Sequence, residues 1–175
     1  MLVNKLQPGD TVSIVTYAGE AGTALEPTKV SDRAKILNAI EALTPGGSTT
    51  GEAGIREAYR LAESSFVKGG VNRIMLATDG DFNVGQTDDS SLTRLVEEKR
   101  DSGVFLSVLG FGRGNLNDQM MQALAQNGNG TAAYIDTLQE AEKMLVEDAS
   151  STLFPIAKDV KIQVEFNPQA VSEYR

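Results

Sequence analysis

The chain has 175 residues, 41% of them hydrophobic and 23% charged, a make-up that suits one globular domain with a full apolar core. Lys and Arg number 16 against 24 Asp and Glu, and a net charge of −8 with no basic cluster excludes binding to a phosphate backbone. Without cysteine or histidine, disulfides, thiolate metal sites, Ser-His-Asp catalysis and imidazole acid–base chemistry are also excluded.

The opening Met1-Leu2-Val3-Asn4-Lys5-Leu6 reads as the last turns of an amphipathic helix, so the chain is expected to begin inside a longer polypeptide. No basic-then-apolar leader is present, and no apolar stretch reaches the roughly 20 residues that span a bilayer. Pro8-Gly9-Asp10 breaks the first helix and Thr11–Tyr17 follows as a strand. A short strand is expected near Thr23–Leu25. Ser31 then caps a helix with Ile36, Ile40 and Leu43 on one face, ended by Pro45-Gly46-Gly47. The next helix starts near Glu52, carries Ile55, Tyr59 and Ala62 on one stripe, and stops by Lys68-Gly69-Gly70.

A strand over 72–78 ends in Thr78-Asp79-Gly80. Asp88-Asp89-Ser90 caps a helix carrying Leu92, Leu95 and Val96, and Gly103 separates it from the strand Val104–Leu109. Gly110-Phe111-Gly112-Arg113-Gly114 is a turn before a helix capped by Asn115, with Leu116, Met120 and Leu124 inward. Asn127-Gly128-Asn129-Gly130 ends it in residues that tolerate left-handed backbone. Ala132–Ile135 is a strand, and Thr137-Leu138-Gln139-Glu140 fits a capping box opening a helix with Ala141, Met144, Leu145 and Asp148. The alternation predicts an α/β fold, a doubly wound and mainly parallel sheet with helices on both faces. The run Val160–Phe166 alternates like a half-buried strand.

The strand ending in Asp79 is the most informative feature. In open α/β sheets ligands bind at the C-terminal edge of the strands, so a carboxylate there is well placed for chemistry. Asp79, Asp81 and Asn83 mimic the first positions of a calcium loop, but Val84 replaces the required Gly and Ser90 the required Glu. Asp-x-Asp after an apolar strand also suits a Mg²⁺-dependent phosphatase, with Asp79 as nucleophile and Asp81 as general acid. Against it, Asn83 stands where such enzymes carry Thr or Val, and no later lysine with an acidic pair follows a strand. The segment Gly46-Gly47-Ser48-Thr49-Thr50-Gly51 resembles a phosphate cradle, except that Glu52 replaces the Lys of a nucleotide loop. Its hydroxyls suit either helix capping or coordination of a hard divalent cation. Gly110-x-Gly-x-Gly lacks both the further glycine and the acidic residue of a dinucleotide fingerprint, and reads as a tight strand–helix turn.

Taken together, Gly-Gly-Ser-Thr-Thr before one helix and an apolar strand ending in Thr-Asp-Gly resemble the von Willebrand factor type A domain, over about residues 1–150. The resemblance implies a Rossmann-like sheet and a metal-ion-dependent adhesion site built from three loops. Thr50 matches the family's threonine, with Ser48 and Thr49 as neighbouring registers, and Asp79 matches its aspartate. The third loop, Asp-x-Ser-x-Ser after the family's first strand, has no counterpart in this chain. The loosest match, Asp148-x-Ser150-x-Thr152, falls at a helix end.

The expected architecture is therefore a type A domain over 1–152 lacking its usual first strand, with residues 153–175 beginning a C-terminal extension of the kind carried by bacterial, envelope-associated members. In that family Mg²⁺ or Mn²⁺ bridges the domain to an acidic side chain of a protein partner. With one loop absent, this chain is expected to hold the metal weakly or not at all. A partner strand, a strand-swapped homodimer or a rearranged edge would fill the place of the missing strand. Two other readings stay open: the phosphatase-type enzyme, and a metal-independent scaffolding domain whose loop residues only cap helices.

Overall fold

A 3₁₀ turn over Leu2–Asn4 opens the chain and buries Val3, so the opening helical stretch is one short turn. The computed structural model describes residues 2–17, 22–44, 51–79, 89–112, 118–144 and 163–166. Strand β1 (Thr11–Thr16) pairs antiparallel with β2 (Gly22–Lys29), which is longer than the sequence pattern suggested. Glu26-Pro27 hid that strand, because proline gives no N–H to a ladder. The register shows how the sheet tolerates it: Val12 faces Thr28 and Ile14 faces Leu25, so Glu26 and Pro27 together oppose Ser13 as a bulge.

Helix α1 (Arg33–Glu41) is capped by Asp32 rather than Ser31, with the Asp32 carboxylate accepting from the Lys35 amide at 3.4 Å. The helix stops before Leu43, which is left 41% exposed, and only Ile36 of the expected stripe is fully buried. Helix α2 (Gly51–Ser64) buries Ile55 and Tyr59 as their spacing predicts, and adds Leu61. Strand β3 (Asn72–Thr78) follows, then α3 (Asp89–Asp101), β4 (Val104–Phe111), α4 (Asp118–Asn127) and β5 (Ala132–Ile135). Helix α5 (Leu138–Glu142) starts at the expected cap, where the Thr137 hydroxyl accepts from the Glu140 amide at 3.2 Å. Leu116, Leu145 and Asp148 lie outside the described residues.

The strands form two sheets rather than one. β3, β4 and β5 make a parallel sheet in that order, while β1 and β2 stand apart as an antiparallel pair. Among the described residues, one edge of β1 and one edge of β3 therefore have no strand neighbour. This is the arrangement expected of a doubly wound sheet that lacks one inner strand. β4, flanked on both sides, is buried along most of its length, whereas β3 is largely half-buried and Ala77 is exposed.

The apolar core divides in the same way. One cluster packs Ile55 and Tyr59 of α2, Leu92 and Val96 of α3, and Met120, Met121 and Leu124 of α4 onto Leu76, Val104, Leu106 and Val108. These strand positions alternate, so the three helices cover one face of the parallel sheet. A second, smaller cluster joins Val3, Leu25, Val30 and Ile36, with Val12 and Ile14 beside it.

Helix α2 spans the division. It touches β1, β2, β3 and β4. Glu57 on this helix accepts from the Thr23 hydroxyl of β2 at 2.5 Å, and Gly54 lies hard against Tyr17. At the far side of the parallel sheet, Gly130 has the same role of close approach. A Cβ there would fall 2.0 Å from the Leu106 carbonyl oxygen, so only glycine lets the 128–131 turn lie along β4. That turn extends the ladder, with Leu106 N donating to Gly128 O at 3.0 Å and Val108 N to Thr131 O at 2.9 Å.

The segment 163–166 is exposed and takes no regular structure, so the strand expected over Val160–Phe166 is not seen in its described part. Among the described residues no helix is long and apolar enough to cross a membrane.

Candidate functional site

Parallel pairing of β3, β4 and β5 brings the ends of all three strands to one edge. Asp79 follows β3 directly and is exposed there, while Thr78 before it is buried. The turn after β4 passes close by: a Cβ on Gly112 would meet the Asp79 carbonyl oxygen at 3.8 Å. Gly112, at a φ of +111°, donates its N–H to the Ile135 carbonyl at 3.1 Å, and the Tyr134 hydroxyl donates to the Gly112 carbonyl. This edge is therefore a set of short, mutually bonded strand ends with a carboxylate standing clear of them.

Tyr17 completes the edge from the other sheet. It follows β1, and its hydroxyl donates to the Ala77 carbonyl. Burial pushes the Tyr17 phenol above its ordinary range; the Asp79 charge pushes in the same direction and a hydrogen bond with Thr78 opposes them. The phenol thus stays a neutral hydroxyl beside Asp79. Sequence reasoning took Tyr17 only as the last residue of a strand. Its one signal is position: an aromatic with a polar tip where an apolar run meets a small-residue loop.

Asp136 is a second exposed carboxylate at the same edge, directly after β5. It lies two strand spacings from β3, roughly 10 Å, too far to share one ion with Asp79. Thr50, Ser48 and Thr49, the other expected metal ligands, lie outside the described residues, as does Asp81, the general acid of the phosphatase-type reading. Helix α2 begins immediately after Thr50, at the buried Gly51.

A hard divalent cation asks for about six oxygen ligands. Among the described residues no three acidic groups gather in one place, and the donors at this edge are the Asp79 carboxylate and neutral hydroxyls. That set does not by itself make a site for Mg²⁺ or Mn²⁺.

The profile of the von Willebrand factor type A domain matches residues 1–147, and a profile described as the C-terminal region of the uncharacterized protein YfbK matches residues 151–175. The chain is similar to the uncharacterized protein YfbK of Escherichia coli, with 50% identity over all 175 residues and 30% of that protein's length. It spans about a third or less of the length of the curated relatives it matches.

Among solved structures, the conserved hypothetical protein BatB from Bacteroides thetaiotaomicron superposes with a TM-score of 0.66 at 24% identity, covering 86% of this chain and 82% of that one. Proximal thread matrix protein 1 of the mussel byssus, solved with a zinc-occupied MIDAS motif, superposes at 0.60 with 19% identity, covering 82% and 38%. At these identities the structures speak to the fold. With a family profile matched across most of its length, and the α/β architecture to go with it, the chain belongs to the von Willebrand factor type A family, a family of protein-interaction modules.

Proposed function

We propose that this chain is a non-enzymatic binding module whose interaction edge is the C-terminal edge of the parallel sheet, centred on Asp79. The observation that carries the reading is the placement of Asp79: exposed, directly after β3, in a Thr-Asp-Gly turn beside the Tyr17 hydroxyl. In this reading Thr50 and Asp79, with Ser48 as the alternative register, are this chain's share of a metal-dependent adhesion site. The zinc-occupied motif of the mussel neighbour supports the idea that the fold carries such sites.

A complete site would take Mg²⁺ or Mn²⁺ and present it to an acidic side chain of a protein partner. Because no Asp-x-Ser-x-Ser loop follows an apolar strand in this sequence, the chain alone would bind Mg²⁺ weakly or not at all. Calorimetric titration with MgCl₂ tests this. The expected result is no heat in the micromolar range; micromolar affinity that Asp79→Ala abolishes would overturn it.

The free edges of β1 and β3 belong to the same reading. A strand entering between them, from a longer chain or from a second copy by exchange, would join the two sheets and remove an association hazard. Sedimentation that shows only compact monomer at every concentration would remove the exchanged dimer. The domain division at 152/153 and a place in the bacterial cell envelope complete the proposal. Limited proteolysis and fractionation of the native host address them.

A further inference from the structure

Helices α2 and α3 enclose a cavity of about 230 Å³ lined by Arg56, Tyr59, Arg60, Glu63, Leu95 and Lys99. The positions follow from helix periodicity: 56, 59, 60 and 63 form one stripe of α2, and 95 and 99 one stripe of α3. Tyr59 is only 1% exposed, so it forms the floor, and Leu95 adds an apolar wall.

The floor carries an anomaly. The Tyr59 hydroxyl is buried and has no hydrogen-bond partner. Leaving a buried hydroxyl unpaired is costly, and the remainder of the side chain would pack equally well as phenylalanine. Burial also pushes the phenol far above its ordinary range, so the group keeps its proton and remains a donor. The cavity that Tyr59 lines is the route by which a polar partner reaches it.

The rim selects the charge of that partner. Arg56 donates to Glu52 at 2.7 Å, Arg60 to Glu57 at 2.7 Å, and Lys99 to Glu63 at 2.6 Å. These pairs hold the three cations around the opening. Only Nε of Arg56 is used in its pair, which leaves both terminal nitrogens, and Lys99 keeps hydrogens beyond the one given to Glu63. The rim is thus richer in donors than in acceptors. A cavity of this size holds several waters, each occupying about 30 Å³ in the liquid, and so has room for a small polyatomic ion.

We propose that the cavity between α2 and α3 is a binding site for a small oxyanion, a phosphate or carboxylate group, held by the Tyr59 hydroxyl together with Arg56 and Lys99. Glu63 shares Lys99 with the ligand and repels it, so the affinity is modest, with a dissociation constant on the order of a millimolar. The site shares no residue with Thr50, Asp79 or Tyr17, and it stands or falls independently of the metal-linked edge.

The test is a titration of the full chain, followed by amide shifts over 56–63 and 95–99, with inorganic phosphate and separately with succinate. Sodium chloride at matched ionic strength is the control. Saturable shifts with one or both anions are expected, and which of them binds tells phosphate from carboxylate. Tyr59→Phe and Arg56→Gln should each weaken binding by about fivefold or more. Tyr59→Phe should also melt at or above the wild-type temperature, because the hydroxyl it removes has no partner in the free protein. Three results would overturn the proposal: no saturable shift up to about 50 mM of either anion, shifts that chloride reproduces, or unchanged affinity in both variants.

Discussion

The Tyr17 hydroxyl donates a hydrogen bond to the Ala77 carbonyl, and this single contact ties the free edge of β3 to the antiparallel pair. A strand edge normally satisfies its carbonyls through a neighbouring strand; here a side chain from 60 residues away does so for one of them. The bond is local to the edge that carries Asp79, so it also fixes what stands beside that carboxylate. Tyr17→Phe keeps the ring and removes the bond. Ala77 is exposed, and water can take the carbonyl over. The expected loss of stability is therefore about 1 kcal/mol or less by urea denaturation, with the m-value unchanged.

Gly54 explains why the Tyr17 ring can sit where it does. A Cβ built on Gly54 would lie 2.5 Å from the Tyr17 Cβ, an atom fixed to the backbone of the neighbouring segment. In an exposed helix, Gly→Ala is stabilising by about 1 kcal/mol. At position 54 the clash outweighs that gain, because either α2 or the end of β1 must move. Gly54→Ala is expected to cost about 1–3 kcal/mol. Combined with Tyr17→Ala, which clears the ring but leaves its Cβ, much of the cost should persist. A stabilised Gly54→Ala protein would show that α2 and Tyr17 are not in contact.

Much of this was legible in the sequence, and the exceptions have physical causes. The 72–78 strand, the cap at Thr137 and the stripe of Ile55 and Tyr59 are local patterns, and local patterns survive folding. Strand β2 was recognised only in part because its bulge places Glu26 and Pro27 where a regular ladder would forbid proline. Leu43 looked like a core residue because it continues the 36, 40 stripe, yet α1 ends two residues before it. The division into two sheets is a question of which strands meet, which no single segment records. Asp79 could be found because a strand end announces itself. Tyr17 could not, since its partners at 54, 77 and 78 belong to other elements.

Acid should loosen the tie between α2 and β2. Hydrogen bonds from Arg60, the largest influence, and from Thr23 hold the Glu57 carboxyl down to about 2, against an ordinary value of 4.5. A carboxylate with a depressed folded value contributes stability above its unfolded value and loses that contribution as pH falls toward the folded one. For Glu57 the window runs from 4.5 down to about 2. Glu57→Gln should therefore flatten the fall of stability across that window, and Arg60→Gln should do the same more weakly. Melting temperatures taken at several pH values would show it. A wild-type slope retained in both variants would place the acid sensitivity elsewhere.

Arg73 is the opposite case, a charge that the fold holds without an opposite charge. It sits half-buried on β3, donates from Nη1 to the Ser107 hydroxyl at 2.9 Å, and has a buried Nε with no partner. No carboxylate pairs with it among the described residues, and burial lowers its proton affinity. Desolvating a guanidinium for one neutral hydrogen bond is a net cost. Ser107 also accepts from the Thr131 amide at 3.3 Å, so it keeps a partner when the arginine goes. Arg73→Met preserves the length of the side chain and removes the charge. Stability should stay level or rise by about 1 kcal/mol in urea denaturation, with the larger gain at low salt, where an unpaired cation is least screened. A loss of more than about 2 kcal/mol would mean that Arg73 has an anionic partner in solution, since breaking such a pair is what costs that much.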